Sequence, residues 1–344
     1  MADRVRIGLI GAGRIGRRHA GVLASRIPRA ELVAIADANP GAARAAAEEA
    51  RVGRWTADAG EVIADSGIDA VVIASSTDTH ASLIAAAARA GKDVFCEKPI
   101  ALDLAATDDA LDAVAAAGVR LQIGFQRRFD AGYRRAKETI DGGGLGRIEA
   151  IRDAMRDPAP PPRAYVETSG GLYRDMAIHN FDCVRWLMGE DVEELFAMGS
   201  ALVDPMFGEL GDVDTSVVSL RFAGGGIASI ENSRRSGFGY DVRTEIFGSE
   251  GAIFVGYARE TPVLHLAAGG VRSDHVHFFM ERFAEAYVEE LRAFVDGIVD
   301  GGPASPDGAD ARAAMALAFA AEASRRERRP VAPGRFARGA EEGA

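Results

Sequence analysis

Cysteine is scarce in this 344-residue chain, with only Cys96 and Cys183, so no disulfide framework can hold it and a reducing compartment suits it best. The two thiols are also too few and too distant for a metal cluster. The six histidines, at 19, 80, 179, 265, 275 and 277, form no HxxxH pair, and the expectation is no metal site. No stretch approaches the roughly 20 uninterrupted apolar residues that span a bilayer. The start, Met1 to Val5, passes into a strand pattern without the look of a signal peptide, so a cytoplasmic protein is expected. Positive charge is in deficit: the formal net charge is −11, which argues against nucleic acid or an anionic membrane surface as partner. No internal repeat is present.

Apolar residues are plentiful at 48%, enough for the cores of two domains. Over the first third, short apolar runs alternate with Ala-rich amphipathic stretches, the βαβ rhythm of a parallel sheet. Strands are expected at Val5–Ile10, Glu31–Ala36, Ala70–Ala74, Asp93–Glu97 and Arg120–Gly124, with helices between them. The grammar then changes. A proline-rich loop, Asp157–Pro162, is followed by a helix over Asp175–Met188 that Gly189 stops. Strand-like runs separated by short turns come next, from Glu193 to Leu266, and then closing helices over Phe279–Val299 and Asp310–Arg325. The chain after Pro330 reads as a frayed tail. The expected fold class is α/β: an N-terminal Rossmann dinucleotide-binding domain over 1–124, and a C-terminal α+β domain over 125–334. The latter has a large, mostly antiparallel open sheet and oligomerises; 335–344 form a flexible tail.

Gly11-Ala12-Gly13-Arg14-Ile15-Gly16 matches GxGxxG between a strand and a helix. The first glycine permits the tight turn, the second lets backbone approach a pyrophosphate, and the third packs helix on strand. The N–H groups opening that helix favour phosphate. Asp37 ends the second strand about twenty residues on, where a carboxylate meets the ribose hydroxyls and repels a 2′-phosphate, so NAD is expected over NADP. Arg14 and Ile15 lie in the same loop. Ser75, Thr77 and His80 follow the third strand at the carboxyl edge; they line the cofactor crevice or cap the next helix.

Glu97-Lys98-Pro99 ends a strand on that same edge, and Pro99 biases Lys98 towards an extended conformation. An ordinary surface lysine is the plain alternative. In Asp175-Met-Ala-Ile-His179-Asn-Phe-Asp182, spacings of four and seven put Asp175, His179 and Asp182 on one helical face. An imidazole with a carboxylate one turn away suits general-base work. On spacing alone, a solvated Asp–His pair is the favoured reading.

Together with Gly124-Phe-Gln-Arg-Arg-Phe129, Gly170-Gly171 and Phe247-Gly-Ser-Glu-Gly251, these segments make the chain resemble the glucose–fructose oxidoreductase, inositol dehydrogenase and MocA family of NAD(P)-dependent oxidoreductases, over nearly its full length. Arg127–Tyr133, Arg156–Pro162, Asn232–Arg235 and Gly239–Asp241 are most similar to its inositol-oxidising members. The resemblance implies NAD-dependent oxidation of a ring secondary alcohol, myo-inositol to its 2-keto form. His179 would be the general base, Asp175 its orienter, and Lys98 the donor to the reacting oxygen. It implies Glu97 beside the cofactor, and Arg127, Asp157, Asp182 and Tyr240 as contacts to ring hydroxyls. It also implies a homo-oligomer, dimer or tetramer. Gln126 departs from the Met expected of the inositol-specific pattern, which bears on stereochemical preference. The rival readings are a dehydrogenase for scyllo-inositol or another sugar, and a regulator that binds NAD without turnover.

Overall fold

The computed structural model describes residues 4–256 and 259–339. The chain forms two units: the first runs to Phe129 and takes in Glu285–Ala313, and the second holds Asp130–Ala284 and the chain from Ala314. In the first unit, strand and helix alternate as β1 (Val5–Ile10), α1 (Arg14–Ser25), β2 (Ala30–Ala36), α2 (Pro40–Ala50), β3 (Trp55–Thr56), α3 (Ala59–Ala64), β4 (Ala70–Ile73), α4 (Thr77–Arg89), β5 (Asp93–Glu97), α5 (Leu104–Ala117) and β6 (Leu121–Gly124). The strands form one parallel sheet in the order β3-β2-β1-β4-β5-β6. The order reverses between β1 and β4, which is where such sheets open a crevice for a nucleotide. All four residues of β4 are fully buried, because helices on both faces demand an unbroken apolar run. β3 and α3 lie in a stretch where the apolar pattern indicates no element; at two and six residues they are too short to show a period.

The second unit contains α6 (Ala131–Asp141), β7 (Ile148–Arg156), α7 (Arg163–Ser169), a π turn over Tyr173–Ala177, α8 (Ile178–Met188), β8 (Val192–Ser200), α9 (Pro205–Glu209), β9 (Thr215–Phe222), β10 (Ile227–Ser233), β11 (Asp241–Gly248), β12 (Gly251–Val255), β13 (Leu264–Ala267), β14 (Gly270–Ser273) and α10 (Phe279–Arg282). Its large sheet has the order β12-β11-β7-β10-β9-β8, antiparallel except for the β7–β10 pair. Among the described residues, β13 and β14 pair with each other alone. Along β9, Ser216, Val218, Leu220 and Phe222 are buried while Val217, Ser219 and Arg221 are exposed, the period of two expected of a sheet covered on one face. The other face carries exposed Met198, Val217, Ile227, Phe247 and Phe254. It holds a shallow hollow of about 450 Å³ whose lining includes Ala150, Phe196, Ser219, Ile227 and Pro330.

Three sequence expectations are corrected. The closing helix breaks at Phe283 into α10 and α11 (Ala284–Asp300), and α11 belongs to the first unit. Its Val288, Leu291, Phe294 and Val295 join Ile7, Leu9, Val72 and Phe95 in one core, each contributing roughly 1.5–3 kcal/mol. Periodicity shows that such a helix has an apolar face, but not which core will receive it. Second, the expected helix over Asp175–Met188 is a π turn followed by α8, so the four-residue step from Asp175 to His179 is not α-helical throughout. Third, after α12 (Gly308–Glu327) the chain is tied down: Val331 exchanges two backbone hydrogen bonds with Leu195, both 2.9 Å, and Pro333–Phe336 forms a 3₁₀ turn. Residues 340–344 of the expected tail lie outside the described residues.

Candidate active site

In the first unit, the Gly11–Gly16 loop has the shape its glycines require. Gly11 sits at φ +102°, and a Cβ there would lie 2.4 Å from the Ala74 backbone. At Gly16 a Cβ would lie 1.9 Å from the Gly11 carbonyl oxygen, so this glycine is fixed by helix–strand packing. A Cβ on Gly13 meets nothing within 4 Å, and no side chain caps α1. An open approach to an uncapped helix N-terminus fits a pyrophosphate. Arg14 is exposed there and Ile15 half-buried. Asp37 accepts the Ala12 N–H at 2.7 Å and the Asn39 N–H at 2.8 Å, one on each oxygen. Each oxygen keeps a lone pair for a ribose hydroxyl, and the half-buried carboxylate repels a 2′-phosphate. These residues fit NAD.

The carboxyl edge is bound together by His80, which is 1% exposed. Its Nδ1 lies 2.8 Å from the Pro99 carbonyl and its Nε2 3.1 Å from that of Ser75, so the ring links the loop after β4 to the loop carrying Lys98. Both ring nitrogens are engaged within the protein. Ser75 and Thr79 pair their hydroxyls at 2.7 Å, and Thr77 opens α4. Lys98 is half-buried. Glu97 points instead to His19, whose Nε2 is 2.7 Å from Oε1. The fully buried Glu290 of α11 completes this cluster, with ligand-capable atoms of all three within 4.8 Å of one another. Burial, and then the neighbouring Glu97, push the Glu290 carboxyl well above the usual carboxylate range, which keeps it neutral. Arg127, on the 3₁₀ turn Gln126–Phe129, is 1% exposed.

In the second unit, the site is built around the entry to α8. Gly170 and Gly171 both have positive φ, +86° and +85°. A Cβ on Gly171 would lie 2.9 Å from Asp212, whose oxygens accept the Leu172 N–H at 3.1 and 3.2 Å and so start the π turn. Asp175 lies within that turn, and His179 and Asp182 lie on α8. Their exposures of 8%, 8% and 2% exclude the reading of a solvated Asp–His pair. A buried polar chain holds α8 in place. Asn180 donates to Asp153 at 2.7 Å and accepts from Asn232 at 2.9 Å, and Thr244 donates to the other Asp153 oxygen at 2.7 Å. Tyr133 reaches Thr244 at 2.7 Å. At this burial each of these bonds counts for more than one at the surface.

Asp157 and Asp175 are brought together through Arg234, which donates to Asp157 at 3.1 Å and to Asp175 at 2.7 Å. The Tyr165 hydroxyl donates to the other Asp175 oxygen at 2.8 Å. The loss of water around its hydroxyl and then the Asp175 charge push the Tyr165 phenol up, so it stays a donor although the residue itself is partly exposed. Sequence reasoning gave neither partner a role: α7 follows a proline-rich loop, and Arg234, although within the Asn232–Arg235 stretch of the resemblance, looks like a solvated arginine at a strand end. Tyr240 is buried, with its ring 6.3 Å from both Phe279 and Phe283.

Comparison with known proteins identifies the family. The family described as "Oxidoreductase family, NAD-binding Rossmann fold" matches residues 5–125, and the GFO/IDH/MocA C-terminal domain matches residues 133–254. Myo-inositol 2-dehydrogenase of Thermotoga maritima is 45% identical over 95% of this chain and 98% of its own length. Inositol 2-dehydrogenase of Rhizobium meliloti is 44% identical over the same shares. The crystal structure of scyllo-inositol dehydrogenase from Lactobacillus casei, with NAD(H) and scyllo-inositol bound, superposes with a TM-score of 0.91 at 31% identity, covering 96% of this chain and 99% of that one. Among the described residues no helix is long and apolar enough to cross a membrane. The chain belongs to the GFO/IDH/MocA family of oxidoreductases and is an NAD-dependent enzyme acting on CH–OH groups.

Proposed function

We propose that the protein oxidises myo-inositol to 2-keto-myo-inositol with NAD⁺. The observation that carries this reading is the buried acid–base group of the second unit: Asp175, His179 and Asp182 are at most 8% exposed, with Asp175 held by two donors. That group suits a substrate made of hydroxyls. Buried carboxylates accept from ring hydroxyls, and an imidazole near neutrality can take the proton of the one that reacts. The dehydrogenases of Thermotoga maritima and Rhizobium meliloti, named for inositol, support the same substrate class.

Bound NAD⁺ supplies the hydride acceptor. Gly11, Gly13 and the start of α1 hold its pyrophosphate, and Asp37 its adenosine ribose. His179 takes the hydroxyl proton as the carbon–hydrogen bond breaks, and Asp175 orients the imidazole. Lys98 donates to the reacting oxygen and stabilises its developing charge. Asp182, Arg127 and Tyr240 contact the other hydroxyls. The likeness to the scyllo-inositol enzyme of Lactobacillus casei favours scyllo-inositol as the second candidate substrate, and Gln126 in place of Met bears on the stereochemical preference. The exposed apolar face bearing Met198, Ile227, Phe247 and Phe254 is covered by a second copy of the chain in a homodimer or homotetramer, since patches of this kind seldom face water. The enzyme is assigned to the cytoplasm, in keeping with its two free cysteines.

The test is a screen of NAD⁺ and NADP⁺ reduction with myo-inositol, scyllo-inositol, glucose and other aldoses. The expected result is turnover of myo-inositol with NAD⁺. Turnover of glucose without turnover of any inositol overturns the substrate.

A further inference from the structure

Arg234 stands just beyond β10 and is 4% exposed. A buried cation is costly unless paired, and the structure pairs this one twice, through Nη1 to Asp157 and through Nη2 to Asp175. The Asp175 carboxylate is thereby clamped from two elements. One oxygen takes the Arg234 guanidinium at 2.7 Å and the other takes the Tyr165 hydroxyl of α7 at 2.8 Å. Tyr165 is 49% exposed, yet its hydroxyl reaches this buried carboxylate.

We propose that Arg234 is a positioning residue for the alcohol oxidation, turning the Asp175 carboxylate and keeping it ionised so that it serves His179 as a fixed negative charge. The inference rests on the roles proposed above for Asp175 and His179. Left alone at this depth, an aspartate drifts towards its neutral form, and a neutral carboxyl cannot stabilise the imidazolium that forms when His179 takes a proton. The charged and titratable groups around Asp175 and Arg234 include Asp157, Tyr165 on α7, and Asp212, whose field reaches Arg234; His179 follows Asp175 by four residues at the start of α8. Arg234 is the cation that bridges two carboxylates. Asp157 then acts as the second counter-anion of Arg234 more than as a substrate contact. Asp175 and Asp157 together outweigh the burial that works against the Arg234 charge, so the guanidinium stays protonated.

The experiment measures kcat and kcat/KM for myo-inositol against pH in the full-length enzyme, for wild type, Arg234→Gln, Arg234→Lys, Tyr165→Phe and Asp175→Asn. NAD⁺ binding and Tm are measured in parallel. Loss of the bridging charge is expected to lower kcat at neutral pH at least about tenfold, with a smaller change in KM. It is also expected to move the acid limb of the profile up by about one pH unit or more. Arg234→Lys recovers part of both effects, and Tyr165→Phe shifts the limb in the same direction by less. A wild-type acid limb and kcat in the Arg234 variants and in Tyr165→Phe, whatever their Tm, overturn the inference. If Arg234→Gln does not fold, Arg234→Lys and Tyr165→Phe decide. Asp175→Asn separates the two levels: wild-type turnover there overturns the underlying site reading, whereas its loss alongside unshifted Arg234 and Tyr165 variants overturns only the role of Arg234.

Discussion

Asn180 donates its side-chain amide to the Asp153 carboxylate at 2.7 Å, with both residues at most 2% exposed. Asn180 directly follows His179, so the bond that fixes α8 against β7 also fixes the imidazole next to it. The carbonyl oxygen of the same amide receives Asn232 of β10, and α8 is thus tied to two neighbouring strands. Asn180→Ala leaves Asp153 and Asn232 each short of a partner, at an expected cost of about 2–6 kcal/mol, the range for two buried polar groups losing their bonds. Denaturant unfolding of wild type and variant measures it. A difference under about 0.5 kcal/mol contradicts the anchoring role.

The three glycines of the nucleotide loop separate folding from binding. Gly16→Ala places a methyl 1.9 Å from a backbone oxygen, so a clear drop in Tm is expected. Gly13→Ala meets open space, so Tm is expected to hold while NAD⁺ affinity falls about tenfold or more, as an added methyl fills the approach of the pyrophosphate. Calorimetric titration with NAD⁺ distinguishes them; unchanged affinity in Gly13→Ala would mean that the phosphates lie elsewhere.

Glu290 gives a pH signature. Its carboxyl is held neutral in the folded protein by burial, then by Glu97, whereas an unfolded glutamate ionises near about 4.3. The folded state therefore binds this proton more tightly. The stability it provides is complete below the unfolded value and is lost as pH rises above it towards the raised folded value. Glu290→Gln removes the titration at nearly constant shape. The Tm of the variant minus that of wild type should grow from pH 5 to pH 8, and a constant difference would show that Glu290 is ionised in the fold.

Lys98→Met removes the ammonium but leaves the glycine loop and Asp37 in place. NAD⁺ binding is expected to stay within a few-fold of wild type, while kcat falls by about 10²–10³. Single-turnover NADH formation at saturating myo-inositol provides the reading, and near-normal turnover removes Lys98 from the chemistry.

The nucleotide unit was the more legible part because its signals are local. Gly11, Gly13, Gly16 and Asp37 act within one βαβ unit, where spacing alone implies geometry. His19 and Glu97 carry no such signal, since Glu290 reaches them from α11, far along the chain. In the second unit, Asp175 and His179 were visible as a spacing, but the π turn that re-registers that spacing leaves no side-chain period behind. The roles of Arg234 and Tyr165 were illegible for a related reason. A charged strand end and a tyrosine after a proline-rich loop have meaning only once the fold brings them to one carboxylate.

The most direct measurement uses myo-inositol carrying deuterium at C2, incubated with the enzyme and NAD⁺, and reads the mass of the NADH formed. Hydride transfer from C2 gives NADH one mass unit heavier together with unlabelled 2-keto-myo-inositol. Unlabelled NADH, or no NADH from this substrate, contradicts it.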